Sequence, residues 1–256
     1  MKQNHFYISY AGNKRTEVQN IYNNLDFTNI ESVIEPYCGT CSISYYIWLQ
    51  RPNLKFILND NNKHFKEMYN IIKDDEMLSN FENQVNNIII PKIKKSKTDY
   101  LDVVKKDDVY GWFISHKFYQ LRAGLYDVNT SSYKNVHLKN YPIYDFFKNA
   151  DIEFYNMDGV ELYEKYKDDE RNLIIFDPPY LMSCNDFYLQ SNANVYEYLS
   201  LNKISNEKAE IYLILENVWI IKLLFEDLIK YEYDKKYTGH NKRKTTHLII
   251  YNKHKL

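Results

Sequence analysis

The sequence is poor in the residues that punctuate loops, with 6 Gly and 6 Pro among 256 residues. That scarcity excludes collagen-like repeats and Gly/Pro-rich low-complexity chains, which need far more of both. Three cysteines are too few, and odd in number, for a disulfide framework, so a reducing, cytosol-like compartment is expected. No run approaches the about 18 consecutive apolar residues of a membrane span. Met1-Lys2-Gln3-Asn4-His5 has no apolar signal region behind it, so no membrane association is expected. Charge of one sign is not in excess either: Lys+Arg 33 against Asp+Glu 34 gives a formal net charge of -1. A nucleic-acid partner must then be held by local basic patches.

What is present fits a soluble α/β protein. Hydrophobic residues make up 45% and charged residues 26%, which excludes disorder and coiled coil. The 26 Tyr and the abundant Asn, Lys and Ile follow A/T-rich codons, compatible with a virus, a phage or a low-GC bacterium. Tyr number therefore carries no argument about base stacking. Short apolar runs end in loop-forming or acidic residues: Ser32-Val33-Ile34 before Glu35-Pro36, Phe56-Ile57-Leu58 before Asn59-Asp60, and Leu173–Phe176 before Asp177. A fourth, Ile211–Leu215, stops at Glu216-Asn217. Runs without alternation read as strands covered on both faces. Helical spacing follows at Ser42–Leu49 and Asn62–Ile72, and His247–Tyr251 reads as a late strand. The alternation predicts a doubly wound α/β sheet with ligands outside the carboxyl ends of its strands. Residues 61–150 break the pattern with helix-like polar stretches, a cluster at Lys92, Lys94, Lys95 and Lys97, and a Tyr/Asn/Ser-rich piece at 126–144. They are expected to form a small, mostly helical insert between 1–60 and 151–256.

Asp177-Pro178-Pro179-Tyr180 carries the chemistry. A given four-residue string arises by chance in roughly one chain in several hundred of this length, and here it sits at a strand end. The plain alternative is a rigid Pro-Pro turn with an Asp that caps a loop. The amino nitrogen of adenine is a poor nucleophile because its lone pair is conjugated into the ring. A carboxylate and a carbonyl side by side accept both of its N–H bonds and stabilise the positive charge that grows during attack. Asp177 supplies the carboxylate, Pro178 the carbonyl, Pro179 the stiffness, and Tyr180 an aromatic face for a base taken out of its stack.

The sequence resembles the Dam-like (D12 class, group alpha) adenine-N6 DNA methyltransferases. Tyr10-Ala11-Gly12-Asn13-Lys14 stands for that family's N-terminal cofactor segment, and Glu35-Pro36-Tyr37-Cys38-Gly39-Thr40-Cys41 for its Gly-containing strand exit. Asp60 stands for the acidic residue that holds the cofactor ribose, which is also where a doubly wound fold places such a group. The order of the motifs matches group alpha. The resemblance implies a Rossmann-like sheet and S-adenosylmethionine as cofactor. It implies a Tyr10, Lys14, Glu35, Tyr37, Gly39, Asp60 and Tyr155 cofactor site and an Asp177–Tyr180 catalytic site, with no metal. It further implies a catalytic domain of 1–60 and 151–256, a target-recognition insert of 61–150, and double-stranded DNA as partner. Lys14 is expected near the cofactor's carboxylate or the catalytic site. Arg122 in the insert and the basic segment containing Lys242, Arg243 and Lys244 are the expected DNA contacts. Cys41 stands where the family usually has a second Gly, and Asn13 where it usually has Gly; Asn tolerates positive φ better than Cys.

Two rivals stay open from residues alone. Cys38-Gly39-Thr40-Cys41 is a C-x-x-C at a strand-to-helix turn, the setting of a thioredoxin-like redox site. A structural zinc site has only Cys184 left to draw on. The other rival keeps the fold and drops the chemistry: a catalytically inactive, methyltransferase-like nucleic-acid-binding or assembly subunit. Seven Lys/Arg from Lys235 onward, with no Asp or Glu after Asp234, would serve either role or a solvated surface. Asp-first motifs favour adenine, but the choice of DNA over RNA rests on the resemblance.

Overall fold

The computed structural model describes residues 6–8, 10, 12–118, 134–139, 141–180, 201, 203–236 and 244–253, with Lys236 and Lys244 described in backbone only. The chain divides into two compact units, Gly12–Asn61 with Ala150–Leu256 and Met1–Ala11 with Asn62–Asn149. The strands are β1 (Ser32–Glu35), β2 (Lys55–Asn59), β3 (Asp151–Tyr155), β4 (Asn172–Phe176), β5 (Glu210–Glu216), β6 (Ile229–Lys236) and β7 (Lys244–Tyr251). Helices α1 (Val18–Tyr22), α2 (Ser42–Gln50), α3 (Lys63–Lys73), α4 (Asp75–Gln84) and α5 (Ile90–Ile93) come first along the chain. They are followed by α6 (Lys97–Val104), α7 (Val109–Lys117), α8 (Ile143–Asn149), α9 (Gly159–Tyr166) and α10 (Trp219–Phe225).

All seven strands form one sheet in the order β3-β2-β1-β4-β5-β7-β6. The first five are parallel, and β7 runs antiparallel to both β5 and β6. Connections β1 to β2 and β2 to β3 step one way, and β3 to β4 returns across β1, so the order reverses between β1 and β4. This is the Rossmann-like arrangement that alternating strands and helices predict. β4 lies centrally with all five residues buried, which is why it reads as an unbroken apolar run. Ile34, Ile57, Ile174, Phe176, Leu213 and Leu248 belong to one buried core. β6 was not legible in the sequence. It is one of the sheet's two edge strands, and Glu232 and Asp234 on its exposed positions break the apolar signal.

The second unit is helical and lies, in chain order, in the connection from β2 to β3. Asn62, Asp74, Ser96 and Asp108 cap α3, α4, α6 and α7 by accepting backbone N–H bonds with their side chains. Between α4 and α5 the helix widens into a π turn at Val85–Ile89. Pro91 explains it, because proline has no N–H and its ring clashes with the carbonyl four residues back. The core includes edge-on ring pairs, Phe65 on Trp112 at 5.0 Å and Phe81 on Phe113 at 5.3 Å. Phe6–Ile8 and Tyr10, expected with the sheet, group with this unit instead. Tyr10 stacks on His116 at 5.6 Å and meets Phe65 edge-on at 5.1 Å, and the Tyr7 carbonyl accepts from Lys117 Nζ at 3.0 Å. Among the described residues no helix is long and apolar enough to cross a membrane.

Candidate active site

The exits of β1 and β4 are neighbours at the point where the strand order reverses, the crevice that binds ligands in doubly wound sheets. Hydrogen bonds tie four segments of the sheet unit together there. Asn13 Nδ2 donates to Thr40 Oγ1 at 2.8 Å while its Oδ1 accepts the Arg15 N–H at 2.7 Å. The Lys14 N–H donates to Ser42 Oγ at 3.2 Å, and the Gly39 N–H donates to Asp60 Oδ2 at 3.0 Å. Asn59 binds the strand exits together, donating to the carbonyls of Pro36 and Met157 at 2.8 and 3.0 Å. Asn156 Nδ2 adds a bond to the Asp60 carbonyl at 2.8 Å.

Asp177 follows the last residue of β4 and is largely buried. Its Oδ2 accepts from Lys14 Nζ at 2.5 Å, and its Oδ1 from the Tyr180 hydroxyl at 3.3 Å. Lys14, only 2% exposed, also lies 5.1 Å from the centre of the Tyr180 ring. Burial pushes the Asp177 carboxyl above its ordinary range, and the Lys14 charge and hydrogen bond oppose that rise. Lys14 therefore reaches the acidic residue of the motif, one of the two places expected for it.

Glu35 ends β1, 2% exposed, and its Oε2 accepts from the backbone N–H and the hydroxyl of Ser44 in the first turn of α2. It satisfies a helix-start N–H that lacks an intrahelical partner. Burial pushes its pKa up to about 8, with Asp177 adding to the rise and Ser44 opposing it. The native state thus binds a proton that the unfolded chain has lost, and stability falls as pH rises from about 4.5 toward 8. Glu35→Gln is expected to leave the melting temperature unchanged at pH 5 and to raise it at pH 8, by about 3–5 kcal/mol of unfolding free energy. Equal melting temperatures of the two proteins at pH 8 would rule this out.

Gly39 and Gly12 have φ of 49° and 83°, so at both positions the backbone has left-handed geometry and no side chain. Cys41 adopts φ 58° despite its Cβ, and Asn13 is not in that region. The replacement that strains the loop is therefore Cys41. Tyr37 packs against Gly159 at the start of α9, where a Cβ would come within 2.4 Å of its ring. Tyr155 ends β3 and its hydroxyl donates to Glu153 Oε2 at 2.7 Å. Cys38 and Cys41 are free and buried, and burial pushes both thiols up in pKa. A redox site needs the opposite shift to make a thiolate.

Of the predicted site residues, Lys14, Glu35, Tyr37, Gly39, Asp60, Tyr155 and Asp177–Tyr180 all belong to the sheet unit, and Tyr10 to the helical one. Arg122, Lys242, Arg243 and Cys184 lie outside the described residues, and Lys244 opens β7 with its side chain undescribed. Lys92, Lys94 and Lys95 are exposed at the end of α5. Sequence reasoning missed Asn59, Ser44, Gly159, Glu17 and His247. The strand-end position of Asn59 was the one available signal; the others act through partners distant in sequence or through packing.

Over residues 10–248 the chain matches the family described as D12 class N6 adenine-specific DNA methyltransferase. The chain belongs to that family. The D12-class match spans both the Tyr10–Lys14 segment and the Asp177–Tyr180 motif. The type II methyltransferase M.CviBI of Paramecium bursaria Chlorella virus NC1A is 24% identical over 273 residues, covering 96% of this chain and 98% of that protein. Among solved structures, precorrin-6y C5,15-methyltransferase from Geobacter metallireducens GS-15 gives a TM-score of 0.35 at 9% identity, over 91% of this chain and 85% of that one. The N-terminal domain of human METTL16 in complex with SAH gives 0.32 at 8% identity, over 91% of this chain and 66% of that one. For this D12-class chain the fold follows from its own strand order.

Proposed function

We propose that this protein transfers a methyl group from S-adenosylmethionine to the exocyclic amine of an adenine flipped out of double-stranded DNA, at a specific site. The observation that carries the reading is Asp177-Pro178-Pro179-Tyr180 leaving β4 beside the β1 exit, with Asp177 paired to Lys14. The loop geometry fits the cofactor: left-handed Gly39 lets backbone approach a ligand, and Asp60 stands at the next strand end with its carboxylate on the Gly39 N–H. S-adenosylmethionine, when bound, supplies an electrophilic methyl group. Asp60 would hold the ribose hydroxyls, and Tyr37, Gly39 and Tyr155 would line the same cofactor, with Glu35 shaping the loop from behind.

Asp177 and the Pro178 carbonyl accept the two N–H bonds of the adenine amine and stabilise its developing positive charge. Lys14 favours the ionised, acceptor-only form of Asp177 against the effect of burial. Tyr180 offers a ring face to the flipped base. The helical unit would carry target recognition, with the basic segment before β7 on phosphates. This chemistry needs no metal, and the compartment is the cytoplasm of a bacterial host or a viral replication site.

Calorimetric titration with S-adenosylmethionine tests the cofactor site. Micromolar binding is expected, weakened at least about tenfold in Asp60→Ala through loss of hydrogen bonds to the ligand and to the Gly39 loop. A folded protein that binds none would instead support the non-catalytic nucleic-acid-binding role.

A further inference from the structure

Behind the motif lies a buried polar cluster that the proposed chemistry does not use. Glu17 is 3% exposed and His247, on β7, is fully buried. Glu17 Oε2 accepts from His247 Nδ1 at 2.8 Å and from the Tyr233 hydroxyl at 2.9 Å, while Lys235 Nζ lies 2.6 Å from Oε1. Burial opposes ionisation of Glu17, but the His247 bond and the charges of Lys14 and Lys235 outweigh it and hold the pKa at about 2. An ionised carboxylate only accepts, so the proton of that bond sits on His247 Nδ1. His247 Nε2 is buried with no hydrogen-bond partner among the described residues. Lys14, Lys235, Glu17 and Asp177 form two buried pairs of opposite sign. Such clusters are seldom more stable than apolar packing of the same volume, so stability alone does not account for this one.

The cluster touches the motif at Tyr180 and its partner Lys14. The His247 ring meets the Tyr180 ring edge-on, at 5.2 Å between centres and 79° between planes. Glu17 shares a turn with Lys14: its N–H donates to the Lys14 carbonyl at 2.7 Å. One turn therefore sends Lys14 toward Asp177 and Glu17 toward β6 and β7.

We propose that Glu17 and His247 are a positioning pair that sets the Tyr180 ring and, through the shared turn, the Lys14 ammonium beside Asp177. The proposal rests on the methyl-transfer reading above. Tyr180 must present a base so that its amine falls between Asp177 and the Pro178 carbonyl, and displacements on the order of 1 Å cost up to about 100-fold in rate. Glu17 fixes the tilt of the His247 ring, and that ring limits where Tyr180 can turn.

The test uses the full chain, unmethylated genomic DNA and tritiated S-adenosylmethionine. Wild type is measured first, followed by His247→Phe, His247→Asn, Glu17→Gln, Tyr180→Ala and the double variant with Tyr180→Ala and His247→Phe. His247→Phe keeps a ring edge but removes the donor to Glu17; His247→Asn keeps a donor but removes the ring. Both are expected to lower kcat about 10- to 100-fold, with cofactor dissociation constants within about twofold of wild type. In the Tyr180→Ala background, His247→Phe is expected to cost several-fold less in kcat than it does in wild type, because only the route through Lys14 remains. A structural role alone lowers the melting temperature and leaves the kcat of the folded fraction unchanged. Unchanged kcat in both His247 variants, or a full additional loss in the double variant, overturns the proposal. An inert wild-type protein overturns the methyl-transfer reading and this proposal with it, an outcome distinct from active wild type with unaffected variants.

Discussion

Asp177→Ala is expected to lower methyl transfer by about 10³-fold or more while leaving S-adenosylmethionine affinity within about twofold. The substitution removes one of two acceptors aimed at the adenine amine, in a largely buried site where each such interaction is worth more than in water. It also leaves Lys14, 2% exposed, without its carboxylate partner, which destabilises the fold as well as slowing the chemistry. Asp177→Asn separates the two effects. Its amide oxygen still accepts from Lys14 Nζ, but the negative charge that balances the developing ammonium is gone. Single-turnover rates and unfolding curves on both variants decide the matter. A folded Asp177→Asn protein with wild-type rate would refute the catalytic assignment.

The second large effect is expected at Lys14. Its charge opposes the rise that burial imposes on the Asp177 carboxyl. Lys14→Met removes that opposition, so Asp177 titrates higher and more of it is protonated at neutral pH. A protonated carboxyl has one oxygen committed as a donor. The acid limb of the pH–rate profile therefore moves upward, the rate at pH 7 falls about 100-fold, and raising the pH restores part of it. Breaking the buried pair also costs about 3–5 kcal/mol of stability. Lys14→Arg keeps the charge and is expected to keep the acid limb in place. An acid limb that does not move in Lys14→Met would show that Asp177 is kept ionised by other means.

Local sequence was enough for the elements whose signal is local. β1, β2, β4 and β5 are buried parallel strands, so their apolar runs needed no partner to be recognised. The motif after β4 was visible for the same reason, since a strand end and a Pro-Pro pair are adjacent in the chain. Asn62, the cap of α3, likewise sits beside the helical spacing read at Asn62–Ile72. The edge strand β6 was missed because an alternating, charged strand resembles a loop until its neighbour is known. Tyr10 groups with the helical unit and not with the sheet because its ring packs on His116, more than a hundred positions away.

Only the tertiary structure decided which charges meet. Lys14 and Asp177 are separated by 163 positions and Glu17 and His247 by 230, and nothing in their neighbouring residues marks them as pairs. Burial and the charged partners then set the acidities: burial raises Glu35 to about 8, whereas the His247 bond and the Lys14 and Lys235 charges bring Glu17 down to about 2 against its own burial, although both are glutamates with the same intrinsic acidity. A side chain's identity fixes what it can donate or accept. Its ionisation depends on desolvation and on the charges brought beside it, and those exist only once the sheet has closed around the site.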